Sequence, residues 1–322
     1  MMLSKPYLKK VTDKIQGFRH EPLAALLNVP EMKEKFLTLP DYVQVYPGHG
    51  SGSACGKALG AIPSSTVGYE RNFAWWGPFL EADDEAGFVA ALLDGQPDAH
   101  AYFGRMKRQN RQGPAVMGER PALTEIPVET VAARLAADEI SLVDTRSHNL
   151  VHQGTVQGAV NIPAGTKFAS FGAWALDPEH DDRPVLLLAR NQETAMDMWD
   201  HLVRVGIDRV AGFTTTLDGL PQTTPRLIQP EELDGFDAAL VLDVRNRTEH
   251  AAGHIPGSKQ LSAGRVLWNL DQLPDEGTIV TYCQSGVRNS VAASALRRAG
   301  YDVVELDGSY AGWSGMQARV TN

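Results

Sequence analysis

The sequence predicts an α/β protein: two units of alternating strands and helices, each a parallel sheet between helical layers, behind a distinct N-terminal segment. An internal repeat is the first reason. Leu142-Val-Asp-Thr-Arg146 matches Val241-Leu-Asp-Val-Arg245, and Gly154-Thr-Val-Gln-Gly158 matches Gly253-His-Ile-Pro-Gly257, both at an offset of 99. Val185-Leu-Leu-Leu-Ala189 then falls on Ile279-Val-Thr-Tyr-Cys283, and Gly206-Ile-Asp208 on Gly300-Tyr-Asp302, at an offset of 94. Four blocks that keep their order and spacing mark two copies of one supersecondary unit. The second reason is that the apolar runs are short and unbroken and alternate with helical patterns, as in parallel strands covered on both faces.

Length and charge bound the rest. At 322 residues the chain suits two or three domains. A formal net charge of -9 argues against nucleic acid or an anionic membrane as the main partner, so any anion site must be local. Two cysteines, Cys55 and Cys283, with no apolar leader or spanning segment, suggest a cytoplasmic, reducing location.

Taken in order, residues 1 to about 35 carry only a weak amphipathic pattern broken at Pro30. Tyr42-Val-Gln-Val-Tyr46 alternates as a strand, and Pro47 to Gly56 forms a glycine-rich loop. His49 in that loop has a common metal-ligand placement, but none of the nine histidines builds the clustered ligands a dinuclear site needs. Cys55 has no arginine or helix start beside it to lower its pKa, and is read as inert. Glu81 to Leu93 is an acidic-to-apolar helical pattern. The basic run Arg105 to Arg111 is read as a solvated helix face, the aromatics from Trp75 to Phe103 as core or cover, and Gly118 to Pro127 as a linker. The two copies follow, joined by a linker from Pro221 to Pro230. The expected domains are thus 1–121, 122–222 and 228–322.

Chemistry concentrates at Thr278-Ile-Val-Thr-Tyr-Cys283-Gln-Ser-Gly-Val-Arg288, a β-branched strand, a short loop and an alanine-rich helix. A cysteine at that joint meets successive backbone N–H groups and the positive end of a helix dipole, which favour the thiolate. Cys283 is the candidate nucleophile, Arg288 the candidate anion-attracting partner, and Gln284, Ser285, Gly286 and Val287 the amides of the anion hole. Four residues between Cys and Arg make a tighter bowl than the five that wrap a phosphoryl group, so the spacing favours carrying one sulfane sulfur. Asp243 and Arg245, at a strand end, are read as an ion pair bracing the loop. His254 is read as a turn histidine and Trp313 as packing. The first copy has Ala189 at the nucleophile position, followed by Arg190-Asn-Gln-Glu-Thr194, so no thiolate forms there and Glu193 would repel an anion.

These motifs resemble those of known families. Leu242-Asp-Val-Arg245, Glu249-His-Ala-Ala-Gly-His-Ile-Pro-Gly257, Tyr282-Cys-Gln-Ser-Gly-Val-Arg288 and Gly300 to Gly308 with Trp313 look like a rhodanese domain. Residues 123 to about 220 resemble an inactive copy of it. Tyr46-Pro-Gly-His-Gly50, Ser51 to Gly56, Gly68-Tyr-Glu-Arg71 and Tyr102 to Lys107 are similar to the C-terminal end of the metallo-β-lactamase-fold part of persulfide dioxygenase–rhodanese fusions. The chain looks like such a fusion with most of its first domain missing. The resemblance implies a ping-pong sulfurtransferase: Cys283 takes a sulfane sulfur from thiosulfate, a polysulfide or a low-molecular-weight persulfide and hands it to a thiol or cyanide.

That chemistry implies small anionic donors and thiol acceptors as partners and no cofactor. Iron or zinc would enter only if the ligands missing around His49 were supplied. A truncated first domain would expose apolar surface and favour a homo-oligomer. Two other functions stay open on the sequence: a metal-dependent persulfide dioxygenase or hydrolase using the N-terminal segment, and a non-enzymatic sulfur carrier or docking protein.

Overall fold

The computed structural model describes residues 35–46, 64–94 and 99–320. They fall into two compact units, 1–99 and 100–322. In the first, β1 (Gln44–Val45) pairs antiparallel with β2 (Ser65–Thr66), and α1 (Val67–Phe73), α2 (Gly77–Glu81) and α3 (Glu85–Leu93) follow. The strand expected over 42–46 contracts to two residues. The helix expected over 81–93 starts later, because Asp83 adopts a left-handed φ of 53° and Asp84 caps α3 by accepting the Gly87 N–H at 2.8 Å.

The second unit opens with α4 (Tyr102–Gln112). Residues 100–121 therefore belong with the C-terminal unit, whereas the sequence grouped them with the N-terminal segment. The solvated reading of the basic run also fails at Arg105, which is 3% exposed and donates from Nη1 to the Val205 carbonyl at 2.5 Å. Arg108 instead pairs with Glu179 at the surface.

Two parallel sheets follow. The first half runs α5 (Val128–Ala136), β3 (Ser141–Asp144), α6 (His148–Val151), β4 (Thr155–Val156), β5 (Val160–Asn161), α7 (Phe168–Ala175), β6 (Val185–Leu188), α8 (Gln192–Val203) and β7 (Val210–Thr214). Next come β8 (Gln222–Thr223) and β9 (Arg226–Ile228). The second half then runs β10 (Leu240–Asp243), α9 (Arg247–Ala252), β11 (Lys259–Gln260), β12 (Thr278–Tyr282), α10 (Val287–Arg298), β13 (Asp302–Leu306) and α11 (Ser309–Val320). Strand order is β5-β3-β6-β7 in one sheet and β11-β10-β12-β13-β9 in the other. Even the register repeats, since Asp144 sits opposite Leu188 as Asp243 sits opposite Tyr282.

Residues 221–230 are more than a linker. β9 pairs parallel with β13 and buries Ile228, which covers an edge that would otherwise expose unpaired backbone groups. β3 and β6 are buried at every position, as their unbroken apolar runs require.

The helix that joins the halves is α10, buried from Asn289 through Leu296. Val291 and Ala295 pack into the first half's core while Ala292, Ala293 and Leu296 pack into the second's. Its alanines and serines let β5 come close enough for direct bonds. Ser294 Oγ accepts the Asn161 N–H at 2.9 Å, and Ser290 Oγ donates to Asn161 Oδ1 at 2.6 Å. Arg298 extends the contact to Asp181. The helix that begins beside Cys283 is therefore clamped from both sides.

Candidate active site

β12 carries the chain to Tyr282 and stops, and Cys283 follows with 1% of its surface exposed. The Gly286 N–H donates to Cys283 Sγ at 3.1 Å. Gly286 has φ +102°, a conformation open to glycine, and begins α10 with no side chain over the helix N-terminus. No acidic residue sits in that first turn. The Gly286 amide, at a helix start with no side-chain cap or acidic residue, thus meets the sulfur, which suits an anion there.

A second helix start holds the loop from behind. The Tyr310 and Ala311 N–H groups of α11 donate to the Cys283 and Gln284 carbonyls, each at 3.0 Å. Ser309 adopts a left-handed φ of 54°, and its Oγ accepts the Cys283 N–H at 3.3 Å while lying 4.0 Å from Sγ. Gln284 and Ser285 are exposed and form the outer lip.

Asp243 and Arg245 form a buried ion pair, 0% and 2% exposed. Arg245 also donates to the Gly253 carbonyl at 2.7 Å and to Gln284 Oε1 at 3.3 Å, and lies 4.0 Å from the Tyr310 ring centroid. It ties the strand end to the loop. Burial alone would raise the Asp243 carboxyl, but hydrogen bonds from Arg245 and His250 outweigh it and hold it below the usual range. Burial pushes the Tyr282 phenol up to about 12, so it stays a neutral hydrogen-bonding group to Ser258 and the Ile255 N–H.

Arg288 is not a free cation. Its two terminal nitrogens donate to the two oxygens of Glu249 at 2.6 and 2.7 Å, a bidentate pair that raises the arginine's pKa and lowers the carboxyl's. The charge meant to draw an anion is shared with a carboxylate. The pair's evident effect is to fix the first turn of α10 to α9. His254 Nδ1–H donates to the His250 carbonyl at 2.9 Å, and Trp313 packs against Tyr310.

Glu249, Ser309 and Tyr310 were missed as site residues. Glu249 lay inside a quoted motif, but no spacing rule connects it to an arginine 39 positions on. His148 of α6 was missed as well: a Cβ built on Gly286 would lie 3.0 Å from its ring, so the first half reaches the second half's loop. His49 and Cys55 lie outside the described residues. Among the described residues no three His, Cys, Asp or Glu side chains are grouped to hold a metal, and no step below is routed through one.

Residues 229–316 match the family model of the rhodanese-like domain. The thiosulfate sulfurtransferase GlpE of Pseudoalteromonas translucida is 31% identical over 88 residues, 27% of this chain and 84% of that protein. The probable adenylyltransferase/sulfurtransferase MoeZ of Mycobacterium tuberculosis is 33% identical over 94 residues, and the match spans about a quarter of its length, 24%. A solved structure of a metallo-beta-lactamase from Staphylococcus aureus subsp. aureus COL shares 28% identity with a TM-score of 0.45, over 66% of this chain and 54% of that one. A relative at 31% identity matched over 84% of its own length settles the family: the chain belongs to the rhodanese-like family.

Proposed function

We propose that the chain moves a sulfane sulfur from thiosulfate, a polysulfide or a low-molecular-weight persulfide to a thiol or cyanide acceptor, through a persulfide on Cys283. The observation that carries this reading is the Gly286 amide on Cys283 Sγ at the uncapped start of α10. An amide aimed at sulfur, with a helix dipole behind it, stabilises the thiolate before attack and the thiolate leaving group after transfer.

With thiosulfate the thiolate attacks the outer sulfur, the donor's S–S bond breaks, and sulfite departs with the bonding electrons. Cys283 then holds one extra sulfur. An acceptor thiol attacks that sulfur, loses its proton, and returns Cys283 to the thiolate. The reaction needs no metal or other cofactor. Ser285, Gly286 and Val287 would bind the transferred sulfur through their amides. Gln284, held by Arg245, and Arg288, held by Glu249, would keep the bowl in shape.

The same reading makes 228–322 the active rhodanese domain and 122–222 a silent rhodanese-like copy, supported by the shared strand order and register. Residues 1–121 would then be a metallo-β-lactamase-like segment. Among the described residues no helix is long and apolar enough to cross a membrane, and a thiolate-based site suits a reducing compartment such as the cytoplasm.

The test is to load the full chain with thiosulfate and examine Cys283 by mass spectrometry. Cys283 should gain the mass of one sulfur and lose it to 2-mercaptoethanol. Cys283→Ser should abolish turnover, and Cys55→Ser should keep most of it. Turnover by the Cys283→Ser protein would overturn the proposal.

A further inference from the structure

We propose that His148, supplied by the first half, is a catalytic residue of the second half's site: the base that takes the proton from an acceptor thiol as it attacks the Cys283 persulfide. This rests on the sulfur-transfer reading above and assigns a residue to its second step.

Position is the first argument. α6 leaves the first half directly after the Asp144-Thr-Arg146 turn and lies against the Cys283 loop. A Cβ built on Gly286 would lie 3.0 Å from both Nε2 and Cδ2 of His148, so that ring edge fills the space a side chain at 286 would take. The Gly286 amide in turn touches Sγ at 3.1 Å. Joined through standard bond lengths, these contacts put Nε2 within about 9 Å of Sγ. A persulfide bond of about 2 Å, an attacking sulfur about 3.5 Å further and one hydrogen bond together stay within that upper limit.

Availability is the second. Three other histidines of the two halves are committed: His152 to Glu305 at 3.2 Å, His250 to Asp243 at 3.0 Å, and His254 to a backbone carbonyl. Among the described residues neither ring nitrogen of His148 has a hydrogen bond, and the ring is half-buried. Its lone pair is open to a ligand.

Electrostatics is the third. Burial, then the neighbouring His152, lower the His148 pKa, while Glu305 and Asp307 act the other way. The ring is thus neutral near pH 7 and able to accept a proton. The carboxylates on β13 and just after it would then steady the imidazolium while it lasts. From the Cys283 loop, the facing residue is Gly286, which contributes backbone alone.

The step balances without an added oxidant or reductant. His148 takes the thiol proton, the new thiolate forms a bond to the outer persulfide sulfur, and the bond from that sulfur to Cys283 Sγ breaks. Its electron pair stays on Sγ, which the Gly286 amide receives as a thiolate. The proton passes from the imidazolium to the departing persulfide, so Cys–S–S⁻ and RSH give Cys–S⁻ and RSSH.

The experiment uses the full chain, loaded with thiosulfate, freed of donor, and rapidly mixed with either 2-mercaptoethanol or sulfite. Sulfite dianion has no proton to lose, so it reports whether the loop is intact. In His148→Gln the ratio of the thiol rate to the sulfite rate should fall about 100-fold, the scale of a lost general base. The acid limb of the thiol pH profile should vanish with it. An unchanged ratio, whether both rates drop together or neither drops, would overturn the proposal and leave His148 as packing. Failure of the parent protein to load any sulfur would instead remove the sulfur-transfer reading, and this inference with it.

Discussion

The two strand–loop–helix joints share a scaffold and differ in what they leave open. Arg146 pairs with Asp144 and donates to the Gly154 carbonyl at 2.7 Å, as Arg245 pairs with Asp243 and donates to the Gly253 carbonyl at 2.7 Å. At the loop they diverge. In the second half Gly286 leaves the start of α10 uncapped. In the first, Asn191 Oδ1 accepts the Thr194 N–H at 2.9 Å and Glu193 occupies the first turn of α8. The bidentate pair is missing too: the positions of Glu249 and Arg288 hold Leu150 and Thr194. The first joint therefore has no thiol, and its helix start is capped by its own side chain with a carboxylate in the first turn. A cleft of about 400 Å³ remains there, lined by Glu125, Arg190 and Asn191 among others, with no thiol in it.

The largest expected effect tests whether the cysteine alone separates the joints. A protein carrying Cys283→Ala and Ala189→Cys should transfer sulfur about 1000-fold or more slowly than the parent, because its thiol meets a capped helix and a carboxylate. Alkylation of the thiol placed at 189 by iodoacetamide should set in no lower than the ordinary thiol range of about pH 8.5, since position 189 is 2% exposed and faces a carboxylate. Parent-like turnover by the exchanged cysteine would mean that the cap and Glu193 are irrelevant.

Much of this contrast was legible in the sequence. The repeat, the parallel sheets, the strand–loop–helix joint and Ala189 in place of cysteine are local patterns, set by residues next to each other in the chain. What stayed hidden depends on contacts across the sheet or between halves. Arg105 looked like one more solvated cation because burial against Val205 is set by tertiary packing. Arg288 looked free because Glu249 arrives from α9. The low amphipathicity of Val287–Arg298 has its reason only when both flanking cores are seen, since a helix buried on two sides needs no polar face.

A smaller effect separates the two Asp–Arg braces. Asp243→Asn leaves Arg245, 2% exposed, without its counter-charge, and should cost about 3–5 kcal/mol. Asp144→Asn leaves Arg146, which is 25% exposed and can turn toward water, at about 1–3 kcal/mol. Urea unfolding of both proteins measures the difference. Equal losses would show that the tighter burial of the second brace adds nothing.

The smallest effect isolates the pair that the first joint lacks. The Arg288 guanidinium holds the Glu249 carboxyl below the usual carboxylate range. Because the folded-state pKa is depressed, the pair's contribution is complete above the unfolded value of about 4.3 and is lost as pH falls through the folded one. Glu249→Gln should remove about 1 kcal/mol at pH 7, discounted for the partial exposure of both partners. Below the folded value, where Glu249 is protonated in both states, the parent should have lost the same increment, so the two stability curves converge in acid. Unfolding midpoints measured from pH 7 down to pH 3 follow that convergence. A constant gap across the range would mean that Glu249 acts through packing or its bond from the Asn246 N–H, and that the charge pair is not what distinguishes the two joints.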